Sequence, residues 1–187
     1  MNKLLAFALV AAVATPLFAQ EPELADSQST KGERVKRESN VWPAFFAVSE
    51  FPASADVIGM RLTIPFSTMQ ENVTGLDLGL WGRSLYFQGF QFNVVRNDVK
   101  DDMSGFQVGL YNSIGSGQLL GVQAGLFNEA STLRGLQAGL VNMSREVSGF
   151  QIGLINRAET MVGYQVGLIN VICDAELQFC PVLNIGF

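Results

Sequence analysis

Histidine is absent from the 187 residues, and cysteine occurs only at Cys173 and Cys180. Without histidine there is no Ser-His or Cys-His nucleophile pair and no imidazole to bind a metal. Charge is sparse, at 16% of residues. Five of the twelve bases and five of the seventeen acids lie in the first 40 residues, which leaves seven bases against twelve acids from 41 to 187. The basic surface that phosphate binding needs is missing, so nucleic acid is not an expected partner. The one acidic cluster, Asp98, Asp101 and Asp102, is broken by Lys100. It reads as a solvated turn between strands rather than a calcium site. No catalytic residues, metal ligands or cofactor-binding motif are expected.

The N-terminal apolar run, Leu4 to Val13, is shorter than the ~20 residues of a helical membrane span. Lys3 precedes it and Thr15-Pro16-Leu17-Phe18-Ala19 follows, the order of a secretory signal peptide spanning 1–19 with cleavage after Ala19. No cysteine near that site could carry a lipid anchor. Residues 20–40 hold five acids, four bases and no aromatic. Such a segment buries too little apolar surface to offset its ordering entropy, so it is expected to be a disordered charged linker. Residues 41–187 then form one domain. In an exported chain Cys173 and Cys180 are expected to form a disulfide closing the loop Asp174–Phe179.

What fills the domain is a repeat. The octapeptide Gly-φ-Gln-φ-Gly-Leu-φ-Asn, with φ mostly apolar, occurs at 105–112, 121–128, 135–142, 149–156 and 163–170. The last four copies start 14 residues apart, and weaker versions begin at Gly59, Gly75 and Gly89. None of the forty residues in the five copies is charged. Phe150, Ile152 and Leu154 alternate with Gln151 and Gly153, the period of two that marks a strand. Glycine every four residues excludes a helix, at ~1 kcal/mol each relative to alanine. The connectors carry the charges and read as turns, yet they have a pattern of their own. Leu119, Leu133, Val147 and Met161 stand two residues before the next glycine, and Ser116, Ala130, Ser144 and Ala158 stand five before it. Part of each connector is therefore expected to pack inward. A lead-in strand is expected at Val41–Phe51 and a final strand at Leu177–Phe187, bent at Pro181. Trp42, Trp81 and Tyr86 are read as core or end-cap aromatics.

Two all-β architectures fit. In a β-solenoid of ~14-residue coils, equivalent positions sit ~4.8 Å apart in register. Gln107, Gln123, Gln137, Gln151 and Gln165 would then form one hydrogen-bonded ladder, and Asn112, Asn128, Asn142, Asn156 and Asn170 a second. The alternative is a ten-stranded antiparallel outer-membrane β-barrel, acting as a pore or membrane scaffold, with Phe150, Ile152 and Leu154 toward lipid. A barrel gives no reason for identical positions to recur in a single-strand unit.

The five octapeptides, with Gly-Leu-Asp-Leu-Gly-Leu at 75–80, resemble a family of bacterial surface repeat proteins known from spirochaetes and seen in other Gram-negative phyla. The resemblance covers about Ile58 to Asn170. It implies an exported protein of the cell surface or outer membrane, or of the periplasm, with no assigned enzymatic activity. The copy at Gly89 departs from the pattern, with Asn93 for the second glycine and Arg96 for the terminal asparagine, which interrupts the ladder there. The expected role is structural or interactive, with envelope components or the membrane as partners and no identified ligand.

Overall fold

The computed structural model describes residues 44–48, 56–67 and 69–187. The signal peptide, the charged linker and Trp42 lie outside them. The described chain is a parallel β-solenoid of seven strands, β1 (Ala44–Val48), β2 (Val57–Phe66), β3 (Gln70–Val99), β4 (Met103–Val108), β5 (Tyr111–Ile152), β6 (Ile155–Ile172) and β7 (Phe179–Gly186), paired in chain order. Repeat stacks on repeat in register: Gly89 on Gly105 on Gly121, Gln91 on Gln107 on Gln123, and Asn142 on Asn156. This pairing excludes the antiparallel barrel. Neighbours from β1 to β6 are parallel, and only β7 runs antiparallel to the strand beside it.

Apart from the bend at 100–102, between β3 and β4, where the acidic cluster was expected to form a turn, the connectors are not turns. Val141 to Ser144 and Glu146 to Ser148 pair with Ile155 to Ala158 and Thr160 to Val162 in the same parallel ladder as the octapeptides. An in-register stack gives every residue around the coil a backbone partner above and below, so the chain bends at corners without leaving the sheet. β5, at 42 residues, passes through several coils unbroken.

Glycine at the first position permits the stack to close. Gly149 has a φ of 145°, and a Cβ there would overlap the carbonyl oxygen of Gly135 in the preceding coil. Any L side chain would be strained in conformation and blocked in space.

The interior divides into two parts. The connectors supply an apolar column two residues before each glycine: Val57, Val73, Phe87, Met103, Leu119, Leu133, Val147 and Met161, all buried. Beside it Val99, Ile114, Ala130, Ser144, Ala158 and Ile172 point inward, two residues after the ladder asparagine. Ser116, expected among these, is exposed. Its coil is two residues longer than 14, and counting from Asn112 the inward position falls on Ile114. The octapeptides supply the other part of the interior, which is polar.

β7 closes the C-terminal edge by pairing with the last coil, Gly163 opposite Gly186 and Asn170 opposite Cys180. The register shifts between Gly167 and Asn170, opposite the bend expected at Pro181. The expected disulfide is not formed, and Cys173 and Cys180 are free thiols. With Asn170 opposite Cys180 and Val171 opposite Phe179, Cys173 falls three positions out of register with Cys180. Cys173 also lies in the turn 173–177 rather than in the paired strands, so the register does not set it opposite Cys180.

Because every internal coil interface is of one kind, deleting Gly135–Ser148 removes a unit without creating a new sort of contact. The shortened chain should keep its strand signal by circular dichroism and unfold in one cooperative urea transition. A broad or multistep transition would show that the coils are not interchangeable.

Candidate interaction surface

The glutamines and asparagines build two ladders. Gln107, Gln123, Gln137, Gln151 and Gln165 are fully buried, and each Nε2 donates to the Oε1 of the preceding glutamine at 2.8–2.9 Å. The ladder begins one coil earlier than expected, at Gln91. In the second ladder each Nδ2 donates onward, from Asn112 through Asn128, Asn142 and Asn156 to Asn170, at 2.7–2.8 Å. The Gly89 coil does not interrupt it. Asn97, not Arg96, lies over Asn112, so that coil has one extra residue between its first glycine and its asparagine, which it keeps. Asn93, in place of the second glycine, donates to Asn97 and lengthens the ladder by one side chain.

The two ladders run in opposite directions, and their ends set the sense of each. Gln91 meets the carboxylate of Asp77, which can only accept, so Nε2 must donate toward it at 3.0 Å. Every later glutamine follows. The asparagines spend their other N–H on a carbonyl of the next coil, as Asn142 does on Ile152 at 2.9 Å, and Asn170 ends on the Cys180 carbonyl of β7 at 3.1 Å. Opposed chains of amide dipoles offset each other along the solenoid axis.

At the N-terminal end the column carries charge. Arg61 and Asp77 occupy the glutamine position of the two preceding coils and form a wholly buried ion pair, with Nη2 at 2.6 Å from Oδ2 and Nε donating to Oδ1 at 3.0 Å. Nη1 of Arg61 donates to Gln70 Oε1 and the Arg83 carbonyl, and Asp77 also accepts from Asn93 at 2.9 Å. This cluster was missed in the sequence. The available signal was two adjacent charges of opposite sign in a column otherwise uncharged. At the other end Gln165 Oε1 has no partner, and Nδ2 of Asn184, its register partner on β7, has none either.

Turning the amides inward sends the alternate residues outward. The second position of successive coils reads Met60, Leu76, Phe90, Phe106, Val122, Leu136, Phe150 and Tyr164. The fourth reads Leu62, Leu78, Phe92, Val108, Ala124, Ala138, Ile152 and Val166. All are exposed or half-buried, Phe90 at 58%. Phe90 stacks on Phe106 at 4.9 Å between centroids, and Phe150 on Tyr164 at 5.5 Å. The sixth position continues the surface round a corner through Leu110, Leu126, Leu140, Leu154 and Leu168, the last 66% exposed. From Gly105 to Gly163 the second side chain of each coil is larger than the fourth, so a ridge runs beside a trough. Eight coils at ~4.8 Å and a width of ~20 Å give ~760 Å² of uncharged surface, above the ~300–600 Å² of the largest apolar patch on an ordinary monomer.

Polar chemistry is confined to the margin. The Arg96 guanidinium lies 5.6 Å from the Trp81 ring centre and 4.7 Å from that of Tyr111. The Tyr111 hydroxyl donates to Glu129 Oε2 at 2.6 Å, and burial first, then this bond, push its pKa well above the usual tyrosine value. Trp81 and Tyr86, expected inside, are on the surface. The three aspartates are engaged separately: Asp98 with Arg96, Asp101 with the Ser116 hydroxyl and Asp102 with the backbone N–H of Gln118. No cluster able to hold a metal ion occurs among the described residues. No protein-family model, no curated protein and no solved structure matches this chain.

Two predictions concern what holds this surface in place. Asn142→Ala leaves the Oδ1 and Nδ2 groups of its neighbours unpaired and should lower stability by ~1–3 kcal/mol in urea unfolding. Asn112→Ala should cost as much, since Asn97 and Asn128 bond it on both sides. Asp77→Leu strands a buried guanidinium and should cost ~3–5 kcal/mol, while the double change Arg61→Met with Asp77→Leu should recover most of that loss. A double variant no more stable than the single one would assign the damage to packing.

Proposed function

We propose that this protein is an exported, non-enzymatic component of the bacterial cell envelope that acts by presenting its octapeptide face to a partner. The observation that carries this reading is the chemistry of the face. Across eight coils the outward second and fourth positions hold no charge and no polar group except the Tyr164 hydroxyl. Ridges of exposed phenylalanine lower solubility, and a surface of this size marks a binding site. The scaffold adds rigidity, because its amides are committed to internal ladders. The signal-like N-terminus and charged segment 20–40 support export and a tether between membrane and domain. The lack of histidine and the separate engagement of the acidic side chains support a role in binding rather than catalysis.

Fractionation of a Gram-negative host tests the reading. The protein should be recovered in the envelope and should be captured there in a covalent complex by chemical cross-linking, and Phe106→Ser with Phe150→Ser should abolish that complex. Both side chains point outward, so the circular dichroism of the purified variant should be unchanged and its unfolding free energy within ~1 kcal/mol. A cytoplasmic wild-type protein, or a folded variant cross-linked as fully as the wild type, would overturn the proposal.

A further inference from the structure

We infer that the occupant of the octapeptide face is a second copy of this chain, packed face to face with the two solenoids side by side and their coils level. The inference rests on the proposed interaction role of the same face and names the partner.

The relief of the face carries the argument. Val122 stands beside Ala124, Leu136 beside Ala138 and Phe150 beside Ile152, each pair being the second and fourth outward positions of one coil. A two-fold axis parallel to the stacking direction, lying between the two faces, reverses the strands and keeps coil opposite coil. The second position of each coil then meets the fourth position of the same coil in the partner. Leu136 fills the space over Ala138, and Val122 the space over Ala124. The same operation serves both copies, as an isologous contact requires. Because both surfaces share one repeat of ~4.8 Å, a match at one coil propagates along the stack, as in facing sheets of a steric zipper.

The other axis that joins these faces runs along the strands and inverts one solenoid. It sets ridge against ridge: Phe106 would meet Phe150 while Ala124 faced Ala138 across a void, a poor core for an interface. A lipid surface is the other apolar partner, but acyl chains conform to any relief and give no reason for a regular ridge and trough. The margin is also of mixed sign, with Arg134, Arg145, Glu146 and Glu159 exposed, so it offers no basic rim for anionic headgroups. Without the sixth position, which lies round the corner, a width of ~16 Å leaves ~600 Å² per copy, at the lower end of the ~600–1,000 Å² per partner of specific interfaces.

Sedimentation equilibrium of the purified full chain should show a dimer at about 10 μM, a concentration that detects any micromolar complex. Ala138→Glu buries a charge against the partner and should raise the dimer Kd by ~100-fold or more, with the circular dichroism unchanged. Orientation is read in a Cys173→Ser, Cys180→Ser background. A mixture of Leu136→Cys and Ala138→Cys chains should form crossed disulfides in preference to a mixture of Leu136→Cys and Val122→Cys chains. The reverse preference would overturn the level arrangement, and a dimer untouched by Ala138→Glu would place the contact elsewhere. A chain that stays monomeric at about 100 μM but binds phosphatidylcholine vesicles, losing that binding on Ala138→Glu, would replace the second copy by lipid and leave the face's interaction role standing. A monomer that binds neither itself nor vesicles would overturn the dimer, and the envelope fractionation separately decides the broader role.

Discussion

In-register stacking of one coil on the next constrains every other feature of this molecule. Once Gly149 lies over Gly135 and Gln151 over Gln137, each inward position must accept its own kind at one strand spacing. Apolar side chains meet that demand by simple contact, as in the column from Val57 to Met161. A primary amide meets it differently, since it carries donor and acceptor on one planar group and can bond an identical neighbour on each side. A carboxylate or a lysine could not, because like charges would stack at ~4.8 Å. The same constraint admits glycine at the close approaches, where the carbonyl of the preceding coil fills the space of a Cβ.

A ladder of amides has direction, and direction makes its ends different. The glutamine ladder terminates on Asp77, which Arg61 neutralises in a wholly buried ion pair. The asparagine ladder terminates on a backbone carbonyl of β7. The two ends of the stack are thus chemically distinct, an ion pair at one and a reversed strand at the other. β7 also solves the problem that any open sheet poses, an unpaired edge that would template further strands. It pairs the last coil on one side and presents Pro181, which has no N–H, along its own length.

An interior of amides has a consequence outside. Along a strand, inward and outward residues alternate, so a polar inner set leaves the other parity free to be apolar. Ordinary globular strands distribute these the other way, with the apolar residues inside. Here the apolar core comes from the connectors, and the octapeptides turn their aromatic and aliphatic residues to the exterior. Fold stability and surface chemistry are thereby separated. The ladders and the connector column hold the coils, and the face of Phe90, Phe106, Phe150 and Tyr164 is available for contact with another molecule.

The sequence alone makes legible the repeat, its strand character, the two amide columns and the inward column before each glycine, because each is a periodic pattern in one dimension. It left solenoid and barrel open, since period-two alternation is the same whether the next strand runs parallel or antiparallel; only the pairing of Gly on Gly decides. Tertiary structure also converted the connectors from turns to strands, because their backbone partners lie a whole coil away in the chain. It restored Asn97 to its ladder, since a single inserted residue is absorbed at a corner and shifts the count without shifting the stack. It separated Cys173 from Cys180, whose closeness in the chain says nothing of hairpin register. Which side of an alternating strand faces inward is settled by what stacks against it, and that contact exists only once the chain has coiled.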